Sequence, residues 1–128
     1  MSFKAKLSVG GKDYNVLAFS FSMYQEVDNT GRPASVARGG TLNVEVESSA
    51  ETDLFEWMCN SWEMKDGSVV FLKRDTDATL KELKFKQAYL VGYSEAFSGT
   101  TGVPMTISMT LSAQELTLGN GTHKNEWV

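Results

Sequence analysis

The sequence predicts a mainly β protein, a closed or nearly closed β-barrel with one α-helix packed on its outside. Three observations lead to this prediction. Most of the chain falls into short runs in which apolar and polar residues alternate, glycine-rich or polar turns separate those runs, and a single segment has helical periodicity. Many short strands with one helix are typical of a barrel that removes its own sheet edges.

The length and the charge limit the possible classes. The chain has 128 residues and a net charge of −4, so we expect residues 1–128 to form a single domain with its own core. A pI near 5.0 argues against nucleic acid as the main partner, because phosphate binding needs a basic surface. With Cys59 as its one cysteine, the chain can form neither an internal disulfide nor a zinc site of the usual kind.

The apolar runs of the sequence are too short for a membrane span and do not form a signal-peptide core. None is long enough to span a bilayer, so we expect no membrane contact. Lys4 and Lys6 interrupt the apolar positions that a signal-peptide core would need. We therefore expect folding in the cytoplasm and, if the protein leaves the cell, export without a cleaved leader.

The first two strands are predicted around a glycine pair. Phe3 to Val9 alternates with one apolar face, and Gly10-Gly11 is a hairpin turn signal. The next run, Lys12 to Met23, changes its apolar face partway along. A β-bulge, or burial on both faces, would explain the change.

A long polar segment, Ser22 to Gly40, follows the second strand and is called the arm below. It mixes two acids, two arginines, three glycines and one proline, so it is not of low complexity. Gly31 permits backbone angles closed to other residues, and Pro33 fixes its own φ and biases Arg32 towards an extended shape. Loops of this length in a small domain are usually functional or disordered. We interpret the arm as an element that grips another protein.

One helix is predicted from about Glu51 to Ser61, after a strand over Leu42 to Val46. Ser48 and Glu51 have capping-box spacing. The apolar residues of the helix cover an arc of about 200°, against roughly 100° that suffices for packing on one core. Two interpretations of this excess stay open, because either neighbouring loops or a second subunit could cover it. The apolar residues are Leu54, Phe55, Trp57, Met58, Cys59 and Trp62.

The second half of the chain alternates turns and strands. Lys65-Asp66-Gly67 is a predicted turn into a strand over Ser68 to Arg74, and Thr79 to Tyr93 is a long strand. Met105 to Gln114 alternates without interruption, and Gly119 to Val128 is a polar tail.

The polar side of the Met105 to Gln114 strand carries only hydroxyl and amide groups. A free surface usually interleaves charges of both signs. This uncharged side could therefore be a channel wall that stays hydrated and does not bind what passes along it. Chance, or a partly covered face, is an equally open explanation. The residues in question are Thr106, Ser108, Thr110 and Ser112.

Catalytic chemistry finds little support in the sequence. His123 is the single histidine and lies in the tail, and no G-x-S-x-G elbow is present. Asp75 and Asp77 resemble the start of a calcium loop, but Leu80 stands where glycine is needed. We expect no enzyme activity, metal or cofactor. Trp127, near the end of the tail, is expected either to anchor the tail on the barrel or to insert into a neighbour.

An ordered set of motifs resembles the tube-forming proteins of type VI secretion, the Hcp or TssD family, in its Bacteroidota variety. The resemblance covers essentially the whole chain. Its motifs are Gln25-Glu26-Val27-Asp28, Gly31-Arg32-Pro33, Arg38-Gly39-Gly40, Leu54-Phe55-Glu56-Trp57-Met58, Lys65-Asp66-Gly67 and Asn125-Glu126-Trp127-Val128.

The resemblance implies a two-sheet β-barrel related to phage tail-tube proteins, in rings of six that stack into a tube. A contractile sheath would drive the tube, tipped by a spike protein, and effectors could travel within it. The arm would contact the adjacent ring, and Phe55, Cys59 and Trp62 would lie at a subunit interface. Thr106, Ser108, Thr110 and Ser112 would face the channel. The ring-stacking residues of the arm would be Glu26, Asp28, Asn29, Arg32, Pro33, Ser35 and Arg38.

Two other functions remain open from the residues alone. A monomeric β-barrel that binds a carbohydrate or a peptide would display exposed aromatic side chains in a groove. An enzyme of unknown type would need a pocket around His123 or a pair of carboxylates.

Overall fold

The computed structural model describes residues 3–76, 78–97, 99 and 105–125. Within these ranges it is mostly strand with one short helix, which confirms the predicted fold class. The elements are β1 (Phe3–Val9), β2 (Lys12–Phe21), β3 (Thr41–Glu47), α1 (Asp53–Cys59), β4 (Lys65–Lys73), β5 (Thr79–Ala96), β6 (Thr106–Leu118) and β7 (Gly121–Lys124).

The strands form one antiparallel sheet that closes on itself. Their order is β3-β2-β1-β4-β5-β6-β7, and β3 also pairs with β6, so six strands make a barrel and β7 is added outside the closure. One edge of β6 serves two partners in succession. Its residues Thr106 to Ser112 pair with β3, and Glu115 to Leu118 pair with β7.

The core fills the barrel with side chains from alternate positions of the strands. Small residues meet between two of the strands, since Ala88 of β5 lies opposite Ala113 of β6 and both are fully buried. Large residues fill the remaining space, and burying each contributes about 1.5–3 kcal/mol to stability. The largest fully buried side chains are Phe85, Leu7, Leu42, Leu83, Leu111, Val46 and Val69.

The first hairpin and the bulge in β2 agree with the sequence predictions. Gly10 and Gly11 join β1 to β2 with φ angles of +62° and +79°, the combination that favours glycine in a two-residue hairpin turn. The β2–β3 register shifts between Val16 and Ala18. This bulge explains why the apolar face changes within β2.

The helix is shorter than predicted and the predicted capping box is wrong. It spans Asp53–Cys59, and Thr52 at its N-terminus makes no side-chain capping bond. Ser48 is unavailable as a cap because it still belongs to the extended chain after β3. Its backbone N–H donates to the Met105 carbonyl (2.8 Å), and its hydroxyl donates to the Glu95 carboxylate (2.5 Å).

The predicted turn at Lys65-Asp66-Gly67 is also wrong, because these residues begin β4. A β-bulge against β5 accounts for the turn-like composition. Gln87 there has a φ of +52°, and its N–H donates to the Asp66 carboxylate (2.8 Å). Gly67 is needed for space, since a Cβ would lie 2.4 Å from the Ser8 carbonyl oxygen and 2.6 Å from Phe85 Cζ.

The predicted polar tail contains strand β7, which the sequence analysis missed. Asn125 then joins three parts of the barrel just after β7. Its side-chain amide donates to the carbonyls of Gly39 (3.1 Å) and Ala113 (3.2 Å), and its backbone N–H donates to the Gln114 carbonyl (2.7 Å). These bonds hold the short stretch of β6 that lies between its pairing with β3 and its pairing with β7.

The barrel has two distinct ends. The arm end carries the arm between β2 and β3 and the turns that join β4 to β5 and β6 to β7. The helix end carries the Gly10-Gly11 turn and the segment from Glu47 to Lys65, which contains α1. Leu54 and Trp57 are buried there and join the core cluster with Val9 and Tyr14.

Candidate functional site

The arm is folded back on itself by its own hydrogen bonds. Tyr24 and Arg38 exchange a pair of backbone bonds of 2.9 and 2.7 Å, and the Ala34 N–H donates to the Glu26 carbonyl (2.6 Å). Ser35 adds a side-chain contact, since its hydroxyl accepts from the Glu26 N–H (3.0 Å). The arm is thus an irregular hairpin with a defined shape.

A compact turn forms the tip of the arm, and Asp28 organises it. One Asp28 carboxylate oxygen accepts from the Thr30 N–H (2.9 Å), the Thr30 hydroxyl (2.7 Å) and the Arg32 N–H (3.1 Å). Gly31 takes a φ of +89° within the turn. These bonds favour the ionised carboxylate and lower the pKa of Asp28, with the Thr30 hydroxyl as the largest cause.

The arm presents its side chains almost entirely to solvent. Of the residues that the sequence analysis assigned to ring stacking, Ser35 is half-buried and the others are exposed: Glu26, Asp28, Asn29, Arg32, Pro33 and Arg38. Arg38 pairs with Glu26 at 3.4 Å. Among the described residues, none forms an ion pair with Arg32. The positive charge of Arg32 is therefore available to a partner.

Apolar residues of the arm are equally exposed, and the sequence analysis did not single them out. Val36 is 78% exposed, and Tyr24 and Val27 are also largely accessible. A loop that only faces solvent does not need exposed branched and aromatic side chains, so this apolar surface indicates a contact. In the sequence, only the location of these three residues within a polar segment could have indicated that their side chains are exposed.

Polar side chains of β6 form the outer surface of the barrel wall, which is called the polar face below. Ile107, Met109 and Leu111 point into the core, so the alternating hydroxyl residues point outward. Beside them on β3 lie Asn43, Glu45 and Glu47, and the Thr110 hydroxyl donates to the Asn43 side-chain oxygen (3.2 Å). The outward residues of β6 are Thr106, Ser108, Thr110 and Ser112.

A shallow cleft of about 400 Å³ crosses the polar face. Small side chains and a glycine keep it open, since a Cβ on Gly92 would lie 3.3 Å from Thr110 Cβ. The outward-facing residues along it are Ala18, Ser20, Asn43, Glu45, Gly92, Ser94, Ser108 and Thr110. The face is hydrophilic but carries glutamates from β3, so it is less neutral than β6 alone.

The helix leaves apolar surface uncovered. Trp62 is 83% exposed, Phe55 is 55% exposed with its ring 5.8 Å from Tyr93, and Cys59 is exposed. The described part of the chain therefore provides no loop that covers Phe55 or Trp62. As far as the described residues go, the interpretation that neighbouring loops cover the excess does not hold for these two side chains.

Charged and polar contacts fix the helix to the barrel. Lys12 of β2 pairs with Glu51 and, at 2.8 Å, with Asp53, and these carboxylates raise the pKa of Lys12. Burial, and then the hydrogen bond to Glu95 (3.0 Å), raises the pKa of Tyr93 to about 12. The Lys12 pairs tie the start of the helix segment to β2, and the Tyr93 hydroxyl shares the Glu95 carboxylate with the Ser48 hydroxyl.

Several predicted features lie away from these surfaces. The His123 ring is hydrogen-bonded to the Asn125 side-chain oxygen (3.0 Å). Trp127 lies outside the described residues. Across the described ranges, no group of three or more His, Cys, Asp or Glu side chains could hold a metal ion. No helix there has the length and apolar character that crossing a membrane requires.

A closed barrel with an ordered, exposed arm and uncovered apolar surface belongs to the class of β-barrel proteins that are suited to packing against further copies. A family model described as Hemolysin coregulated protein Hcp (TssD) matches residues 1–128, and the chain belongs to this family. The match confirms the family that the sequence motifs indicated, and with it the role in the type VI secretion tube.

Solved structures agree with this assignment. The chain is 50% identical to Hcp1 from Flavobacterium johnsoniae, with a TM-score of 0.90 over 95% of this chain and 99% of that chain. It shares its fold with Hcp1 from Salmonella typhimurium (15% identity, TM-score 0.75, 96% and 92% covered). It also shares its fold with a chain of the PVC sheath-tube complex of an extracellular contractile injection system (18% identity, TM-score 0.57, 90% and 87% covered). A search of curated proteins found no match.

Proposed function

We propose that residues 1–128 act as a single tube-forming domain, that six copies close into a ring, and that rings stack into the inner tube of a type VI secretion apparatus. The observation that carries this proposal is the arm, which is ordered by its own hydrogen bonds and yet exposes nearly every side chain. A segment that holds its shape without packing on its own barrel is suited to packing on another copy.

The polar face is proposed to line the channel of the tube. Its hydroxyl and amide groups would keep the wall hydrated, and its small side chains would leave room for a passenger. The channel-lining residues would include Thr106, Ser108, Thr110 and Ser112.

The exposed side chains of the helix are proposed to lie at an interface between copies. Burial of Phe55, Cys59 and Trp62 by a second subunit would remove apolar surface from water, at about 25 cal/mol per Å². A heterologous contact of this kind can close into a ring or extend into a stack.

The remaining features of the proposal follow from family membership. The partners would be sheath proteins, a spike protein and secreted effectors. We propose no binding of nucleic acid, membrane, metal or cofactor. The protein would reside in the cytoplasm before firing and would then be secreted without a cleaved signal. We propose no catalytic role.

Negative-stain electron microscopy and mass measurement of the purified protein test the proposal. We expect annular particles of six subunits that stack at high concentration. A strictly monomeric protein at high concentration would contradict the proposal and would favour a ligand-binding module, which a glycan or peptide array could then identify.

A substitution in the arm tests the stacking assignment. Arg32→Glu is expected to weaken stacking and leave rings intact, because the exposed guanidinium of the wild type would meet acids of the next ring. Arg32→Lys is the matched control that keeps the charge, and it should stack nearly as well as the wild type. Rings that fall apart with Arg32→Glu, or stacking that does not change, would show that the arm has another role.

A further inference from the structure

The arm end of the barrel opens into an apolar mouth. Two neighbouring cavities of about 420 and 240 Å³ share Phe21 and Leu118 in their walls. Leu80 stands at the rim and is 45% exposed. We use the term apolar mouth for the larger cavity, whose apolar lining is Phe19, Phe21, Phe71, Leu80 and Leu118.

The opposite end of the same barrel carries a projecting aromatic side chain. Trp62 follows α1 at the helix end and is 83% exposed. Met64, two residues further on, is 45% exposed. An indole buries a large apolar area when it enters a pocket, and tryptophan is prominent among the anchors of interfaces.

Charge separates the two ends in a matching way. Among the described residues, acids dominate the helix end and bases dominate the arm end. The helix end has Asp13, Glu47, Glu51, Asp53, Glu56, Glu63, Asp66 and Glu95 against Lys12 and Lys65. The arm end has Lys4, Arg32, Arg38, Lys73, Arg74 and Lys81 against Glu26, Asp28 and Asp75.

This distribution selects one pairing of copies. Helix end on helix end would bring carboxylates together, and arm end on arm end would bring cations together. Helix end on arm end joins opposite charges and also brings the end that carries the indole against the end that carries the apolar mouth. Such a contact is heterologous, so it repeats in one direction and gives a stack with a polarity.

We propose that Trp62 of one copy enters the apolar mouth of a second copy in the next ring, and that the opposite charges of the two ends set the direction of stacking. This inference rests on the proposed function, because the two ends face neighbouring rings only if the polar face lines a channel. Lys81 lines the mouth and Arg32 projects from the arm at the same end, so both cations would face the acids around Trp62.

Two substitutions and two controls test the contact by electron microscopy and sedimentation. Trp62→Ser on the projecting side and Leu80→Ser at the rim should each weaken ring–ring association by about tenfold, the loss typical of an interface anchor. Leu17→Ser removes a comparably exposed apolar side chain from the barrel wall and should have no effect. Raised ionic strength should also shorten stacks of the wild type. Stacks that are indifferent to Trp62→Ser would overturn the inference.

The C-terminal residues are the other possible occupant of the mouth, and Trp127→Ser distinguishes them. Stacking that is lost with Trp127→Ser and kept with Trp62→Ser would overturn the inference and assign the mouth to the chain's own terminus. Rings that are absent even in the wild type would instead contradict the proposed function.

A cross-linking experiment tests the contact even where stacks are short-lived in solution. In a Cys59→Ser background, Trp62→Cys combined with Leu80→Cys should give a ladder of linked copies with a short bis-maleimide. The two positions lie at opposite ends of one barrel, so a short linker joins different copies. Each single cysteine variant is a control that cannot extend a ladder. The absence of a ladder in rings of the double variant would overturn the inference.

Discussion

The barrel and the arm are both hydrogen-bonded, but different forces hold them. In the barrel, ladder bonds are backed by a continuous core in which Leu7, Leu42 and Val46 are fully buried. In the arm, backbone bonds such as Tyr24 to Arg38 are present, but Gly40 is its only buried residue. Net stabilisation per exposed hydrogen bond is small, whereas apolar burial accumulates over the core.

This difference indicates which part of the molecule is complete by itself. The barrel has already buried the surface that stabilises it, so its shape does not depend on a partner. The arm has a shape determined by local turn chemistry and leaves its apolar side chains exposed. Substitutions should therefore unfold the barrel when they disturb packing, and should alter the arm when they disturb single turns.

The largest effect is expected from Gly67→Ala in the barrel wall. A new Cβ would overlap the Ser8 carbonyl oxygen at 2.4 Å and the Phe85 ring at 2.6 Å, and neither the β1 backbone nor a fully packed ring can move freely. We expect a loss of about 3 kcal/mol in the free energy of unfolding. Chemical denaturation followed by tryptophan fluorescence measures it.

Gly121→Ala is the matched control for this prediction. There the nearest atom, the Leu118 carbonyl oxygen, is 3.6 Å from the new Cβ, which is ordinary contact. Stability should change by less than about 1 kcal/mol. Equal losses for the two variants would mean that β-propensity, and not close approach of β1 and β5, determines the glycine at position 67.

The next largest effect is expected where the arm returns to the barrel. Asn125→Ala removes two donors, which leaves the Gly39 and Ala113 carbonyls without these bonds in a part-buried junction. We expect a loss of about 1–2 kcal/mol, measured by thermal unfolding. Hydrogen exchange should quicken first at Ala113, whose N–H donates to the Gly40 carbonyl (2.7 Å). Faster exchange confined to β1, with the junction unchanged, would contradict this role of Asn125.

Alternation and turn signals predicted the strands because both are local. Gly10-Gly11 predicted the first hairpin. The change of apolar face in β2 indicated either a bulge or burial on both faces, and the structure has the bulge, near Leu17. Local signals failed where a distant strand determined the residue. Asp66 and Gly67 have the composition of a turn, but the approach of β1 and β5 explains them, and Ser48 is held by the β3–β6 pairing and not by the helix.

The candidate surfaces were only partly predictable for the same reason. The arm was visible as a long polar segment, but the bonds that Asp28 and Ser35 make depend on how it folds back. The apolar mouth joins residues from β2, β4, β5 and β6, which no local pattern connects. Likewise, the segregation of acids and bases appears only once the topology assigns Glu51 and Lys81 to opposite ends.

The smallest effect is expected at the tip of the arm, where pH should act through one carboxylate. The folded arm lowers the pKa of Asp28 below its ordinary value, so its stabilising bonds are fully present above the unfolded pKa, about 4. They are lost as the pH falls through the lower, folded pKa. Amide exchange or NMR shifts of Thr30 and Arg32 against pH should show this acid transition while barrel amides stay protected.

Asp28→Asn separates the charge of that carboxylate from its geometry. The amide oxygen can still accept from the Thr30 and Arg32 N–H groups, so the turn should persist in weakened form, but it should no longer respond to acid because asparagine does not titrate. Asp28→Ala should lose the turn at every pH and leave the free energy of unfolding of the barrel unchanged. If the acid transition survives in Asp28→Asn, or if Asp28→Ala destabilises the barrel, then the arm and the barrel are not held independently and the contrast between them does not stand.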